Sequence, residues 1–289
     1  MTTLALLGTG LLGAAIGHRL LEVGISLKVW NRDPDRCRSL VGSGAQQCSS
    51  PADTLLGVDT VITVLRDGPV TADVVQSLGL LQGRTVIPMG TMGISESVSL
   101  AQQVSAQGGR YLEAPVLGSR PQAQMGTLLV MAGGDPELFE LQRPLLKHLG
   151  SDPLRMGDVG TGAAAKLALN QLIASLTHGY SLALRLVQAS GLEVERFMEV
   201  LRPSALYAPT VDKKLERMLT EHYGDPNFST SLLRKDLNLF LREADLAGVD
   251  ASGLEGLARL LQRAEGTELD AGDYSALHAL TTISSDTSE

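Results

Sequence analysis

The sequence Leu4-Ala-Leu-Leu-Gly-Thr-Gly-Leu-Leu-Gly13 places a short apolar run directly before a G-x-G-x-x-G motif. Helical periodicity then runs through Ile16 and Leu20, and Gly24 separates it from a second apolar run at residues 27–30. This order predicts a strand, a tight turn, a helix and a second strand. It is the context in which the motif binds a dinucleotide.

Each glycine of the motif has a role in such a site. Gly8 permits the tight turn, Gly10 lets the backbone approach a pyrophosphate, and Gly13 lets the helix pack closely on the strand. The helix N-terminus adds amide donors for phosphate oxygens. In isolation the motif also fits an ordinary turn. In this setting we expect the dinucleotide to contact Gly8, Thr9, Gly10, Leu11, Leu12 and Gly13.

The end of the second predicted strand bears on which dinucleotide is bound. An NAD site usually carries Asp or Glu here, which accepts hydrogen bonds from the ribose hydroxyls. This chain has Asn31 and Arg32, with Arg36 one helical turn further. A guanidinium suits the extra phosphate of NADP, and Asn31 can still bond the ribose. We expect NADP to be preferred and NAD to be possible. The alternative is a solvated arginine that pairs with Asp33.

Strand and helix signals continue to alternate along the first half. We expect strands at residues 59–65, 84–89 and 127–132, another beginning at Tyr111, and helices at 70–78, 95–106 and 136–149. The alternation predicts an α/β fold, a parallel sheet with helices on both faces. The C-terminal ends of such strands line the cofactor crevice, which brings Val64, Leu65 and Thr91 to the site. For Thr91 the alternative is a helix cap.

Helical periodicity takes over after residue 160. We expect helices at residues 163–190, 194–201, 209–223, 231–247, 253–264 and 274–282, followed by a frayed polar tail at 284–289. The chain is long enough for two domains. We therefore predict a dinucleotide-binding domain at residues 1–160 and an all-helical substrate and dimerisation domain at 161–289.

Two polar residues lie on the first of these helices. Lys166 and Asn170 are four residues apart, one turn apart on the same face, and Ile173 and Thr177 continue that mostly apolar stripe. A buried lysine is costly unless something uses it, which favours a functional role. The alternative is a lysine whose stem packs on the core while its ammonium reaches water.

A loop follows the strand that begins at Tyr111. Within Glu113-Ala-Pro-Val-Leu-Gly-Ser119, Gly118 and Ser119 offer backbone amides and a hydroxyl. Free amides of this kind can hold a small carboxylate.

Composition limits the partners. The formal net charge of −8 argues against nucleic acid and anionic membranes, although it leaves small anionic ligands open. Lys166, Asn170, His178 and Arg185 interrupt the most apolar later segment, which therefore does not suit a bilayer span.

The cysteines and histidines suggest neither disulfides nor a metal. Cys37 and Cys48 form no disulfide framework, which fits a reducing, cytoplasmic compartment. The five histidines are scattered without the spacing of a metal site, and His178 is interpreted as structural.

Four blocks together resemble the β-hydroxyacid dehydrogenase family, which includes 3-hydroxyisobutyrate dehydrogenases. The blocks are the glycine motif, Glu113-Ala-Pro-Val-Leu-Gly-Ser119, Gly160-Thr-Gly-Ala-Ala-Ala-Lys-Leu-Ala-Leu-Asn170 and Lys235-Asp-Leu237. Asn31, Arg32 and Phe228 make the chain most similar to the branch that reduces glyoxylate and succinic semialdehyde with NADPH. The resemblance implies a Rossmann-like N-terminal domain and an all-helical C-terminal domain joined by the helix that carries Lys166.

The resemblance also implies residue roles. Lys166 matches the catalytic lysine and Asn170 its companion, both of which contact substrate. Thr91 and Lys235 match residues that approach the cofactor. Asp236 and Phe228 match residues beside the substrate, as do Leu117, Gly118 and Ser119.

The chain departs from the family pattern at three positions. Leu117 replaces a serine that contacts substrate, Gly90 replaces another serine, and Pro88 replaces an acidic residue. These departures leave the expected reaction type in place and weaken the assignment of the substrate.

We therefore expect an NADPH-dependent oxidoreductase that interconverts a small aldehyde acid and its hydroxyacid, with Lys166 as general acid and base. A homodimer or homotetramer is expected as well. The alternatives are a 3-hydroxyisobutyrate or tartronate semialdehyde type of dehydrogenase, an imine reductase on the same architecture, and a non-catalytic dinucleotide-binding protein.

Overall fold

Three segments at the start of the chain form a β–α–β unit: β1 (Thr3–Leu7), α1 (Leu11–Glu22) and β2 (Ser26–Trp30). They belong to a computed structural model that describes residues 3–282. The polar tail predicted at 284–289 lies outside the described residues. Two compact units are present, and their boundary falls between Ala168 and Leu169, inside a long helix, whereas the sequence-based boundary at 160/161 precedes that helix.

The remaining strands and helices of the first unit continue the alternation. They are α2 (Arg38–Gly42), β3 (Gln46–Gln47), β4 (Thr60–Thr63), α3 (Gly68–Ser77), β5 (Thr85–Pro88), α4 (Ile94–Ala106), β6 (Arg110–Glu113), β7 (Val116–Leu117), α5 (Arg120–Met125), β8 (Leu129–Gly134), α6 (Pro136–Leu146), β9 (Leu154–Gly157) and the start of α7 (Thr161–Ala189). Short 3-10 turns lie at Pro34–Cys37 and Ala52–Leu55.

The strands form one sheet in the order β3-β2-β1-β4-β5-β6-β8-β7, and β9 also pairs with β8. Every pairing from β3 to β6 is parallel, as predicted. The strand order reverses between β1 and β4, where open α/β sheets form a binding crevice.

One edge of the sheet differs from the prediction. Strand β8 runs antiparallel to both β6 and β7. The helix between β7 and β8, α5, has only 6 residues and ends on left-handed Gly126 (φ 68°). A parallel return needs a crossover of a dozen or more residues, so the chain doubles back here instead.

Two apolar clusters cover the two faces of the sheet. Leu4 and Leu6 of β1 pack in a cluster with α1 and α6, whereas Ala5 and Leu7 pack in a second cluster with α3 and α4. Successive strand residues point to opposite faces, so this division confirms the prediction of helices on both sides.

The second unit is helical. After the rest of α7 it contains α8 (Val194–Leu201), α9 (Thr210–Thr220), α10 (Thr230–Leu246), α11 (Glu255–Gln262), α12 (Glu268–Ala271) and α13 (Leu277–Leu280), with 3-10 turns at Ser252–Leu254 and Tyr274–Ala276. Buried residues of α7, α10, α11 and α13 form its core, among them Ala174, Leu233, Leu261 and Leu277.

Local features explain why two of the predicted helices are shorter than expected. The helix predicted at 209–223 ends at Thr220 because Glu221 adopts a left-handed conformation (φ 51°). The helix predicted at 274–282 is a 3-10 turn followed by a short helix, and the Asp273 side chain accepts the Ser275 amide at its start. Within residues 3–282, no helix has the length and apolar content that crossing a membrane would need.

Candidate active site

In the glycine-rich turn between β1 and α1, a side chain would clash with backbone at Gly8 and Gly13 but not at Gly10. Gly8 has φ 96°, and a Cβ there would lie 2.3 Å from the carbonyl oxygen of Val64. A Cβ on Gly13 would lie 2.0 Å from the carbonyl oxygen of Gly8. At Gly10, in contrast, a Cβ would approach only the Arg36 guanidinium, at 4.0 Å. Space for a ligand therefore remains beside Gly10.

The start of α1 leaves its first amides to a ligand. Gly10 is the N-cap and provides no side-chain hydrogen bond. Leu11 is exposed and Leu12 half-buried at the first two helical positions, while Thr9 is buried and its hydroxyl lies 3.5 Å from the Cys37 sulfur. A helix N-terminus with uncapped amides suits a phosphate group.

Asn31 is half-buried directly after β2, and the charged residues that follow it are exposed. Asn31 accepts a hydrogen bond from the Asp33 amide at 3.0 Å, and Arg36 lies 3.5 Å from the Asp33 carboxylate. Both members of that ion pair are more than half exposed, so the pair contributes little stability. Arg32 is exposed and makes no ion pair with a described residue. Both guanidinium groups can therefore turn toward a ligand phosphate.

The ends of β4 and β5 meet next to this turn. Val64 and Leu65 both contact the position that a Cβ of Gly8 would occupy. A Cβ on Gly90 would lie 2.4 Å from the carbonyl oxygen of Leu65, so no side chain fits there. Thr91 follows, half-buried, and it does not cap α4, whose N-cap is Gly93. The structure therefore brings the candidates from three strand ends together.

The sequence predicts free backbone amides at Gly118 and Ser119, in the loop after β7. For Ser119 this prediction is wrong. The Ser119 amide and hydroxyl both donate to the Gln122 side-chain oxygen, at 3.0 and 2.8 Å. This capping box begins α5. Gly118 is exposed with φ 136°, and Leu117 is half-buried in β7. A carboxylate would have to replace the Gln122 oxygen at Ser119.

A buried carboxylate holds the start of α7. Oε1 of Glu113 accepts hydrogen bonds from the amides of Gly160, Gly162 and Ala163, at 2.9, 2.7 and 3.2 Å. Lys166 lies one turn further along the helix and is half-buried. A carboxylate at a helix N-terminus satisfies otherwise unpaired donors and opposes the positive end of the helix dipole.

Further donors surround the same carboxylate. Ser97 donates a short hydrogen bond to Glu113 Oε2, and its oxygen lies 2.7 Å from the Tyr111 hydroxyl. Burial raises the pKa of Glu113 above its usual value, and the hydrogen bonds from Ser97 and the three amides oppose that rise only in part. Burial also raises the pKa of Tyr111. All three side chains are buried, so this network lies away from solvent.

In the second unit, Asn170 and Asp236 form a buried pair. The Asn170 amide nitrogen donates to Asp236 Oδ2 at 2.5 Å, and Lys235 Nζ lies 2.7 Å from Oδ1. A carboxylate can only accept, which fixes the orientation of the Asn170 amide. Its buried oxygen has no hydrogen-bond partner among the described residues.

Phe228 lies before α10 and is half-buried. Its ring centroid is 5.9 Å from that of Tyr274, and its carbonyl oxygen accepts the Tyr274 amide at 3.0 Å. These contacts with Tyr274 hold Phe228 and its backbone in place.

Comparison with known proteins matches both halves of the chain. Residues 3–160 match the family model of the NAD binding domain of 6-phosphogluconate dehydrogenase. Residues 160–281 match the one described as NAD-binding of NADP-dependent 3-hydroxyisobutyrate dehydrogenase. Glyoxylate/succinic semialdehyde reductase 1 of Arabidopsis thaliana is 31% identical over 276 residues, which cover 94% of this chain and 95% of the relative.

The chain belongs to the β-hydroxyacid dehydrogenase family. It is an NAD(P)-dependent oxidoreductase of that family. The chloroplastic reductase 2 of the same plant is 29% identical over 280 residues, covering 95% of this chain and 78% of the relative. The solved 3-hydroxyisobutyrate dehydrogenase of Mycobacterium tuberculosis with L-serine superimposes with a TM-score of 0.86 at 24% identity, covering 98% of this chain and all of that one, and it supports the fold.

Two further findings concern this β-hydroxyacid dehydrogenase. In the part of the chain that the structure describes, no group of three His, Cys, Asp or Glu residues is placed to hold a metal. His178 is half-buried, and burial lowers its pKa.

Sequence reasoning missed the roles of Glu113 and Gln122. An acidic residue within the otherwise apolar run Tyr111-Leu-Glu-Ala-Pro-Val was a signal that a buried charge needed partners. Ser119-Arg-Pro-Gln122 has the spacing of a capping box, which predicts that the serine amide is already bonded.

Proposed function

We propose that this β-hydroxyacid dehydrogenase interconverts a small aldehyde acid, such as glyoxylate or succinic semialdehyde, and the corresponding hydroxyacid, with NADP(H) preferred over NAD(H). The observation that carries the proposal is the similarity, over nearly the whole chain, to two reductases named for these two aldehydes. The residues after β2 support the choice of NADP, since Asn31 stands where an NAD site usually carries Asp or Glu, and Arg32 and Arg36 follow it.

The glycine turn fits the cofactor. The space beside Gly10 that a side chain would fill, and the uncapped amides of α1, suit a pyrophosphate. Arg32 and Arg36 would bind the extra phosphate, with Asn31 at the ribose. NADPH, when bound, supplies the hydride that reduces the carbonyl carbon. The residues proposed to hold it are Gly8, Thr9, Gly10, Leu11, Leu12, Gly13, Asn31, Arg32, Arg36, Val64, Leu65, Thr91 and Lys235.

Lys166 is the proposed general acid. As a carbonyl is reduced, its oxygen gains negative charge and must take up a proton. The Lys166 ammonium donates that proton, and in the reverse direction the amine removes it from the hydroxyl. A donor positioned in this way accelerates a reaction by roughly 10²–10⁴-fold. The half-buried position on α7, beside a helix start fixed by backbone hydrogen bonds, supports this role.

Asn170 and Asp236 are proposed to act together. Because the Asp236 carboxylate holds the amide nitrogen, the amide oxygen of Asn170 is left as an acceptor. A substrate hydroxyl would satisfy it. This buried orphan acceptor supports a role in binding, since such groups are costly without a partner.

The substrate carboxylate is proposed to bind at Gly118 and Ser119. It would take the place of the Gln122 oxygen, and its charge makes it a stronger acceptor than a neutral amide. Leu117 offers apolar contact where a serine hydroxyl is usual. Phe228 and Asp236 are further proposed substrate contacts.

A substrate screen tests the proposal. NADPH oxidation is followed at fixed cofactor with glyoxylate, succinic semialdehyde, tartronate semialdehyde and methylmalonate semialdehyde, and then with NADH. We expect turnover with at least one of the first two aldehydes and a higher kcat/KM for NADPH. Turnover with none of the four aldehydes, or only with a cyclic imine as an added control, would reject the proposal.

We further propose a cytoplasmic homo-oligomer. Exposed apolar side chains on α7, namely Leu172, Leu176, Leu182 and Leu186, support a buried contact between copies. Both cysteines are free, in keeping with a reducing compartment. Light scattering on purified protein should give a dimer or tetramer, and a monomer at all concentrations would contradict the proposed assembly.

A further inference from the structure

The start of α7 depends on one side chain. The backbone amides of Gly160, Gly162 and Ala163, at the start of this helix, all donate to one oxygen of Glu113. Glu113 lies 47–50 positions earlier in the chain. Glu113 is only 2% exposed, so its carboxylate is shielded from bulk solvent. Its loss would leave three buried donors without a partner.

Glycines on two elements make room for this carboxylate. A Cβ on Gly133 of β8 would lie 2.2 Å from Glu113 Oε1, and a Cβ on Gly162 would lie 3.0 Å from the same atom. Gly160 has φ 97°, a conformation that few other residues adopt, and its amide points at the carboxylate. The backbone on both sides is therefore shaped around the side chain of Glu113.

The remaining contacts fit a charged carboxylate. Oε1 accepts three N–H groups, and Oε2 accepts the Ser97 hydroxyl, which leaves Tyr111 to donate to Ser97. A carboxylate without a proton is the form that accepts on both oxygens. The charged groups on the segment before α7 are Arg155 and Asp158, which pair with each other at 2.8 Å.

We propose that Glu113 is a positioning residue for Lys166, because it fixes the first turn of α7 and adds a negative charge at the start of the helix that carries the ammonium. This inference rests on the proposed role of Lys166 as general acid. Helical side chains lean toward the helix N-terminus, so the Lys166 side chain extends back over the turn that Glu113 holds. The Glu113 carboxylate thus fixes the backbone position from which the Lys166 side chain extends, and its negative charge favours the ammonium form of Lys166.

The test compares Glu113→Gln with the parent enzyme and with Asp135→Asn. Glutamine keeps the side-chain length and an oxygen for the three amides, but it removes the charge. Asp135 caps α6 through the Leu138 amide at 2.8 Å, so the control removes an equivalent capping charge from a helix without the lysine. Each variant is checked for a native circular dichroism spectrum and for NADPH affinity by fluorescence.

For Glu113→Gln we expect kcat to fall about 10-fold or more with NADPH affinity unchanged. The alkaline limb of the kcat/KM profile should move to lower pH, because removing a nearby negative charge makes the protonated lysine less stable. Asp135→Asn should change neither quantity. An unchanged kcat and pH profile for Glu113→Gln, or the same shift in the control, would overturn the inference.

A readout without turnover separates this inference from the proposed function. The pH dependence of Lys166 acetylation, measured by mass spectrometry, should move to lower pH in Glu113→Gln whether or not the enzyme reduces the aldehydes tested. If Lys166→Ala lowers turnover but labelling is the same in Glu113→Gln and parent, the role of Lys166 stands and that of Glu113 fails. If Glu113→Gln does not fold, Glu113→Asp, which keeps the charge but shortens the reach, should lower kcat without moving the labelling profile. An unchanged kcat would then overturn the inference.

Discussion

Acidification should destabilise the second unit through His278. This side chain is fully buried on α13, and neither ring nitrogen has a hydrogen-bond partner among the described residues. Burial, together with the positive charge of Arg185, lowers the pKa of His278 to about 4, although the charge of Glu221 opposes the shift. The imidazole is therefore neutral in the folded protein at neutral pH, whereas in the unfolded chain it titrates near 6.5.

The sign of the effect follows from the protons bound in each state. Above pH 6.5 both states are neutral at His278, and the residue adds no pH dependence. As pH falls from 6.5 toward 4, the unfolded chain takes up a proton that the folded chain excludes, so the free energy of unfolding falls. The loss is about 2 kcal/mol at pH 5 and about 3 kcal/mol at pH 4.

Urea denaturation at several pH values measures this effect. The free energy of unfolding of the parent is compared with that of His278→Phe, and His222→Phe at an exposed position provides the control. Between pH 7 and pH 4 the parent should lose about 3 kcal/mol more stability than His278→Phe. Parallel curves for the parent and His278→Phe would refute the reasoning.

Three further predictions follow from local geometry. Gly10→Ala should keep the fold and weaken NADPH binding about 10-fold or more, because the methyl fills the space for the pyrophosphate; Gly13→Ala, whose Cβ would lie 2.0 Å from a carbonyl oxygen, should instead lower the free energy of unfolding by about 1–3 kcal/mol. Equal affinities for parent and Gly10→Ala by fluorescence titration would contradict this. Arg36→Ala should raise KM for NADPH about 10–100-fold and leave KM for NADH unchanged, since it removes a charged hydrogen bond to phosphate; equal effects on both cofactors would disprove it. Lys214→Met should lower the free energy of unfolding, measured by urea denaturation, by about 3–5 kcal/mol. The substitution leaves the buried Asp273 carboxylate, 2.7 Å from the lysine nitrogen, without its cation. A decrease in the free energy of unfolding of less than about 1 kcal/mol would show that the Lys214–Asp273 ion pair does not stabilise the fold.

The first β–α–β unit was predictable because its signals are local. Apolar runs, glycines and helical periodicity lie within 30 residues and specify β1, α1 and β2 without reference to the rest of the chain. The cofactor candidates at the strand ends followed from the parallel order. The two-residue strands β3 and β7 carry too few residues for an alternating pattern, so they and the antiparallel edge were not predicted.

The buried network around α7 required the structure. Glu113 and the amides of Gly160, Gly162 and Ala163 are far apart in sequence, and no local pattern pairs them. The same is true of Asn170 and Asp236, which are 66 positions apart. Gly162, in the first turn of α7, makes room for the Glu113 carboxylate, and no local sequence pattern indicates that role.

Turnover of Lys166→Ala tests the central claim most directly. NADPH affinity is measured first by fluorescence titration, so that loss of cofactor is not mistaken for loss of chemistry. With the aldehyde that the parent reduces best, kcat should fall roughly 10²–10⁴-fold while NADPH affinity stays within a factor of about two. Turnover equal to that of the parent would contradict the account.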